Sequence, residues 1–243
     1  MLNRLPFRAL LAIGVVALVS CGQVSRLRAR CLSGDVPACT QLGDMYAVGR
    51  GVERDLGRAA EMYARACDEG AADVCNTLGE IYEKTGGLEG GIERAAAMFE
   101  RACTGGSAAG CLNLGLTFAA REDMTRAIAL YDRSCAGGWA AGCHQLGLVY
   151  EQGDGVTKDA AKALAFYGQA CDGEFVESCV NAGTIYLAGT LVPPDIPAAT
   201  RLYGRGIKIL DEGCAAGSDP DCRERDRLRN RLAIASQQSA PPR

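Results

Sequence analysis

The chain has 243 residues, with 26 Lys and Arg against 29 Asp and Glu, and a formal net charge of −3. A mildly acidic protein is a poor candidate for binding nucleic acid, and no nucleic-acid partner is predicted. The single histidine, His144, excludes His-based catalytic triads and multi-histidine metal sites within one chain, so neither a metal nor a cofactor is expected.

Residues 1–20 read as an export signal. Arg4 and Arg8 precede an apolar run over residues 9–19, which is shorter than the roughly 20 residues that span a bilayer. The end of this segment, Leu-Val-Ser before Cys21, resembles the lipobox of bacterial lipoproteins. The resemblance implies that Cys21 carries a diacylglycerol and that residues 21–30 form a lipidated tether. The alternative is an ordinary secretory signal, which would leave Cys21 as an odd thiol.

The predicted location is the bacterial cell envelope. In lipoproteins with Gly rather than Asp after the lipidated cysteine, here Gly22, the usual destination is the outer membrane, facing the periplasm or the cell surface. Twelve further cysteines at regular spacing agree with export, because disulfides are rare in a reducing cytosol.

Those twelve cysteines form six Cys-x7-Cys pairs. The pairs are Cys31/Cys39, Cys67/Cys75, Cys103/Cys111, Cys135/Cys143, Cys171/Cys179 and Cys214/Cys222. After the second cysteine of the first five pairs, a Leu-Gly or Ala-Gly dipeptide and then an aromatic residue recur at i+3, i+4 and i+7, with periods of 36, 36, 32 and 36 residues. That spacing places them on one face of a helix, helix A, whose start is read at the second cysteine.

An Ala-rich stretch that ends at the next cysteine predicts a second helix, helix B, in each repeat. The glycine of each helix A costs about 1 kcal/mol relative to Ala in a helix interior. We therefore expect a close backbone approach between helices A and B. The fifth helix B is predicted to be longer, since seven more residues separate Tyr203 from Cys214 than separate Tyr63 from Cys67.

This pattern resembles the Sel1-like repeat (SLR), a branch of the tetratricopeptide solenoids, and more narrowly the Helicobacter-type cysteine-rich protein family. The resemblance implies an all-α, right-handed superhelical solenoid of antiparallel helix pairs stapled by disulfides. Five repeats would occupy residues 31–222. Residues 223–235 would form a capping helix, with a basic interaction helix as the alternative, and residues 236–243 a disordered tail.

The cysteine count alone does not fix the pairing. Pairing within a repeat, Cys39 with Cys67 and onward, would leave Cys31 and Cys222 over. Pairing across each short junction between helix B and the next helix A uses all twelve cysteines, and this sequence-order scheme is the prediction.

The functional prediction is a membrane-anchored scaffold that binds an unidentified envelope protein or peptide through its concave surface. Positions one, five and eight after each second cysteine flank the buried face and would line that surface. The predicted partner-binding residues are Asp44, Asn76, Glu80, Leu112, Leu116, His144, Leu148 and Thr184. They are polar and acidic in repeats one and two, and largely apolar in repeats three to five. Burial of those leucines inside the solenoid is the alternative.

A second function class is binding of cell-wall fragments or β-lactams with weak hydrolysis, which the cysteine-rich family implies for some members. A serine β-lactamase needs Ser-x-x-Lys, which the sequence lacks. Lys84-Thr85-Gly86 matches one small part of that signature, and no catalytic residue is predicted.

Overall fold

The computed structural model describes residues 22–85 and 90–238, and within these ranges it contains twelve helices and no strand. The helices are α1 (22–32), α2 (Val36–Val48), α3 (Leu56–Asp68), α4 (Ala72–Thr85), α5 (Gly91–Thr104), α6 (Ala108–Ala119), α7 (Met124–Ala136), α8 (Ala140–Gln152), α9 (Ala160–Asp172), α10 (Val176–Ala188), α11 (Ile196–Ala215) and α12 (Asp219–Gln238). The predicted signal peptide, Cys21 and Gly86 lie outside the described residues, as does the predicted tail from residue 239 onward.

The predicted helix pairs are α2/α3, α4/α5, α6/α7, α8/α9 and α10/α11, each consisting of a helix A followed by a helix B. The all-α, disulfide-stapled repeat fold is confirmed. Helix α11 has 20 residues where α3 has 13, which confirms the longer fifth helix B.

An aspartate begins helix B in four of the five repeats. Asp55, Asp123, Asp159 and Asp195 each accept a hydrogen bond from the backbone N–H three residues further along. This contact satisfies one of the N–H groups that a helix start leaves without an intrahelical partner. The pKa of Asp123 is lowered, first by the hydrogen bond from the Arg126 backbone and then by the Arg126 side chain.

The glycine of helix A faces an aromatic ring, not the backbone of helix B. A Cβ added at Gly43 would lie 2.5 Å from a ring carbon of Tyr63, and one at Gly147 would lie 2.4 Å from the ring of Tyr167. The corresponding contacts in the other repeats are Gly79 with Phe99, Gly115 with Tyr131, and Gly183 with Tyr203. A close backbone approach was expected at these glycines, but the group nearest to each of them is the aromatic side chain of helix B.

Six disulfides join the cysteines in sequence order, each across one helix junction. They are Cys31–Cys39, Cys67–Cys75, Cys103–Cys111, Cys135–Cys143, Cys171–Cys179 and Cys214–Cys222. Their Cα–Cα distances of 4.4 to 4.9 Å fall within the ordinary range for disulfides. By chain entropy, closing a loop of about nine residues contributes roughly 2.5 kcal/mol.

The sequence analysis placed the start of helix A at the second cysteine of each pair, and this placement is wrong. Each helix A starts three residues earlier, so its cysteine lies inside the first turn; these cysteines are Cys39, Cys75, Cys111, Cys143 and Cys179. All five are buried, at most 5% exposed. The N–H groups of Cys39, Cys75 and Cys111 bond to the backbone oxygen four residues back, which closes that turn. Each disulfide therefore holds the end of one helix to the first turn of the next.

The described residues divide into two compact units between Asn113 and Leu114. In the first unit the core contains Leu42, Tyr63 and Leu78, each at most 3% exposed. Of the predicted tether at residues 21–30, residues 22–30 form helix α1, which continues to residue 32; Leu27 and Cys31 are buried against this core and Val24 is partly buried there.

In the second unit the largest fully buried side chains include Tyr167, Tyr203 and Leu228. Leu228 lies on α12, so the predicted cap does cover apolar surface of the preceding repeat. The helix also begins earlier than predicted, at Asp219, and includes Cys222. Arg225 and Arg229 of α12 form ion pairs with Asp211 of α11.

Candidate functional site

The candidate site is the exposed side of helix A, which we call the helix-A face and define by positions five and eight after each second cysteine. In the first unit these positions hold Asp44, Ala47, Glu80 and Glu83. Asp44 and Glu83 are exposed, and Glu80 is half-buried. The part of this face in the first unit is therefore acidic and accessible.

A tyrosine from helix B reaches this face and orients one of its acids. The hydroxyl of Tyr63 donates a hydrogen bond of 2.6 Å to Asp44 Oδ1. The ring of Tyr63 is buried on Gly43, and its hydroxyl reaches the exposed Asp44. Burial, and then the hydrogen bond to Asp44, raise the pKa of Tyr63 well above its usual range. The tyrosine thus remains a neutral donor that fixes the carboxylate.

Two predicted partner-binding residues of the first unit are buried instead. Leu112 is 8% exposed and Asn76 is 7% exposed. Asn76 donates to Glu80 Oε1 at 3.0 Å and accepts from Asn113 Nδ2 at 2.8 Å. Position one of helix A thus lies at the packed border between neighbouring repeats, where Asn76 joins α4 to α6.

In the second unit the helix-A face is mixed. Leu116 is 40% exposed and Thr184 is exposed, whereas Leu148 is half-buried against the core around Tyr167. Thr184 shares a hydrogen bond of 3.1 Å with the hydroxyl of Tyr203. The apolar stripe is therefore largely used inside the fold, as the alternative interpretation held, and Leu116 is its accessible part.

In the second unit another helix-B tyrosine, Tyr167, bonds to an acid of the helix-A face, here at position eight. Tyr167 donates a hydrogen bond of 2.5 Å to Glu151 Oε2. Burial raises the pKa of Tyr167, and the hydrogen bond to Glu151 raises it further. Sequence reasoning missed these hydroxyls as part of the site. The available signal was that the aromatic residue of helix B is Tyr rather than Phe in four of the five repeats.

His144 is half-buried between repeats. Its Nδ1 lies 2.8 Å from Ser178 Oγ, and its ring centroid lies 4.7 Å from that of Phe175 and 5.7 Å from that of Tyr167. Burial lowers its pKa, while the nearby carboxylates of Glu177 and Glu151 oppose that shift. His144 therefore joins α8 to the next repeat and is only partly available to a partner.

The basic residues near the start of helix B cover the aromatic residues of helix A. Arg58 lies over Tyr46, Arg94 over Tyr82, Arg126 over Phe118 and Lys162 over Tyr150, at 4.1 to 5.7 Å from the ring centroids. Such cation–π contacts contribute about 0.5–1 kcal/mol at exposed sites. These cations pack on the aromatic rings and do not neutralise the acids of the helix-A face in the first unit.

The described residues offer no cluster of three or more His, Cys, Asp or Glu side chains that could hold a metal ion. Lys84 contacts Glu80 at 3.4 Å, and the Thr85 hydroxyl donates to the backbone oxygen of Ile81 within the same helix. Both described side chains of the partial β-lactamase signature therefore bond to groups within α4.

Within the described ranges, the structure contains no helix with the length and apolarity needed to cross a bilayer.

The model of the Sel1 repeat matches five consecutive segments, residues 36–70, 72–107, 108–139, 140–174 and 176–208, which is more than half of the chain. The chain belongs to the Sel1 repeat family. The matched segments correspond to the five helix pairs, and Sel1 repeats generally bind protein partners. No curated protein matches the sequence.

Several solved structures share this fold. A Sel1 repeat protein from Oxalobacter formigenes is 24% identical, with a TM-score of 0.64 over 72% of this chain and 74% of that one. A protective antigen of uropathogenic Escherichia coli with an SLR fold is 20% identical, with a TM-score of 0.55 over 90% of this chain and 60% of that one. The immunity protein Pa5087 from Pseudomonas aeruginosa is 17% identical, with a TM-score of 0.53 over 86% of this chain and 84% of that one. At these identities the likeness concerns the fold.

Proposed function

We propose that this Sel1 repeat protein is a scaffold of the bacterial cell envelope that binds a protein partner through its helix-A face. The observation that carries the proposal is the accessible acidic part of that face. Asp44 is held in place by Tyr63, and Glu80 by Asn76 and by an exposed ion pair with Lys84. Carboxylates fixed by buried donors lose little side-chain freedom on binding, which favours recognition of a basic partner surface.

The envelope location and the lipid anchor are part of this proposal. The signal-like residues 1–20, the lipobox-like sequence before Cys21 and six disulfides in a chain of this size support export. We expect wild-type full-length protein to incorporate labelled fatty acid and to fractionate with outer membranes. The Cys21→Ser variant should do neither. Equal labelling of the two proteins would refute lipidation at Cys21.

Partner binding is tested by capture. The oxidised chain from residue 22 to 243 is immobilised and exposed to an envelope extract of the bacterium that encodes it, beside an Asp44→Arg/Glu80→Arg variant. We expect the wild type to retain a specific protein and the variant to lose it, because each substitution replaces an acid of the helix-A face with a base.

A matched control makes the same charge change on helix B. Glu61 and Glu100 are exposed residues of α3 and α5, so Glu61→Arg/Glu100→Arg keeps the net charge of the test variant. The control should retain the partner. Retention of the same protein by all three chains, or by none of them, would contradict the proposal. Circular dichroism of each variant verifies that the helices are intact.

A further inference from the structure

A groove in the second unit lies between the start of α10 and helix α12 and has a volume of about 780 Å³. This volume lies within the range of about 300–1,000 Å³ that is typical of ligand pockets. Its apolar lining comes from Phe175, Val176 and Val180 on the α10 side and from Leu210 of α11. The groove therefore offers apolar contact to a side chain that enters it.

The rim of this groove is acidic. Glu174 and Glu177 line it, and neither carboxylate forms an ion pair with another residue in the described part of the chain. Of the two arginines in the lining, Arg227 is paired with Glu224 at 3.1 Å. The lining also contains Asp221 and Arg223, so its four acids outnumber its two arginines by two, and this net negative charge complements a cationic partner.

Glu174 occupies a backbone position that the other junctions give to glycine. The third residue after the first cysteine of each pair has a positive φ of 65° to 97°, and it is Gly34, Gly70, Gly106, Gly138, Glu174 and Gly217 in chain order. A left-handed conformation is unfavourable for a residue with a Cβ and costs glycine little. The backbone conformation therefore favours glycine at this position. Glu174 is the one exception among the six junctions, and it lines the groove.

We propose that this groove binds a polypeptide segment in which an apolar side chain is adjacent to Lys or Arg. The apolar side chain would contact Phe175, Val176 and Val180, which are half-buried, above the buried Leu210, and the cation would meet Glu174 and Glu177. The proposal rests on the scaffold function above and specifies the partner chemistry for the second unit.

The test uses a library of random 12-residue peptides displayed on phage and selected on the oxidised chain from residue 22 to 243. A Glu174→Lys/Glu177→Lys variant serves as the counter-target. We expect the enriched peptides to carry Lys or Arg within two positions of Leu, Ile, Val, Phe or Met. A synthetic copy of one enriched peptide should bind the double variant at least about five-fold more weakly, as two reversed charges imply.

A single substitution separates binding from folding. Glu174→Gly should leave the denaturation midpoint equal to or above that of wild type, since it removes the strained residue, and yet weaken the peptide about two-fold or more. The matched control is Glu122→Gly. Glu122 has a positive φ of 62° and does not line the groove, so its replacement should relieve strain without changing peptide affinity.

Several outcomes would overturn the groove assignment. They are enrichment of acidic or uncharged peptides, no enrichment, or equal affinity for wild type and the double variant. Self-association of wild type that the double variant abolishes would identify the occupant as a second copy and refute the peptide assignment. A failed peptide selection with a successful envelope capture through Asp44 and Glu80 would overturn the groove alone.

Discussion

Replacing Gly147 with Ala tests the claim that the repeat glycine exists to accept an aromatic ring. The added Cβ would lie 2.4 Å from both Cδ1 and Cε1 of Tyr167, against the 3.4 Å or more of an ordinary contact. The ring would have to move by about 1 Å, but it is fully buried and its hydroxyl is bonded to Glu151. Overpacking of this kind costs about 1–3 kcal/mol, and more where nothing can shift.

Two effects compete in this substitution. Alanine gains up to about 1 kcal/mol over glycine in a helix interior, which opposes the steric cost. Gly168 isolates that gain, because it lies within α9 and a Cβ added there would meet nothing within 4 Å. The steric cost less this gain leaves a net loss, so we expect Gly147→Ala to lower the free energy of unfolding by up to about 2 kcal/mol, and Gly168→Ala to raise it by about 0.5–1 kcal/mol.

The assay is guanidinium denaturation followed by circular dichroism, with the disulfides intact. A double-mutant cycle attributes the loss to the ring: in a Tyr167→Leu background, Gly147→Ala should cost at least about 1 kcal/mol less than in wild type. Equal shifts for Gly147→Ala and Gly168→Ala, or no coupling with Tyr167, would refute the reasoning.

Three further predictions concern pH, a helix cap and the disulfides. Burial lowers the pKa of His144 in the folded chain, so the unfolded chain binds more protons between that pKa and about 6.5. Wild type should therefore lose stability as the pH falls through this window. Denaturation at several pH values should show a flatter dependence of stability on pH for His144→Gln than for wild type. Asp159→Ala should cost about 1 kcal/mol by removing the N-cap of α9, and Asp159→Asn should retain most of the stability, both by thermal denaturation. Cys214–Cys222 should be the first pair alkylated under limiting reductant, because both its cysteines are half-exposed; earlier alkylation of a fully buried pair, found by mass spectrometry, would contradict this.

The regular part of the fold could be read from the sequence because it repeats. Spacing alone predicted the helix pairs, and counting predicted the longer α11. The atoms in contact could not be read in this way. A period of 3.6 residues identifies the buried face, but it does not tell whether the ring of Tyr63 or the backbone of helix B fills the space at Gly43.

The start of each helix A was also misplaced, because the recurring residues begin at the second cysteine while the helix begins before it. The first turn of α4, for example, holds Ala72 and Asp73 ahead of Cys75; the position of Ala72 holds Ala or Val in every repeat, whereas the residue at the position of Asp73 varies. A boundary set by backbone hydrogen bonds leaves no periodic signal of its own in the sequence.

The site was harder to predict for a related reason. Position one of helix A lies at the border between packed and exposed surface on a helical wheel, so the pattern could not decide between a partner and the next repeat for Asn76 or Leu112. In the structure both are buried. Helix α1 was predicted as a tether because its apolar contacts, Val24, Leu27 and Cys31, form only one short stripe among arginines.

Departures from the repeat are the informative positions for function in this chain. A residue type shared by all repeats, such as the glycine under each helix-B aromatic ring, is explained by packing that every repeat needs. Glu174 has no such explanation, because five other junctions use glycine at the same φ and fold without an acid there. A residue that the backbone conformation disfavours is a candidate for a role other than stability when it also borders a groove, as Glu174 does and Glu122 does not. Glu174 borders the groove with the net negative charge, so Glu174→Gly should weaken peptide binding without lowering stability, an outcome that a purely structural role for Glu174 cannot produce.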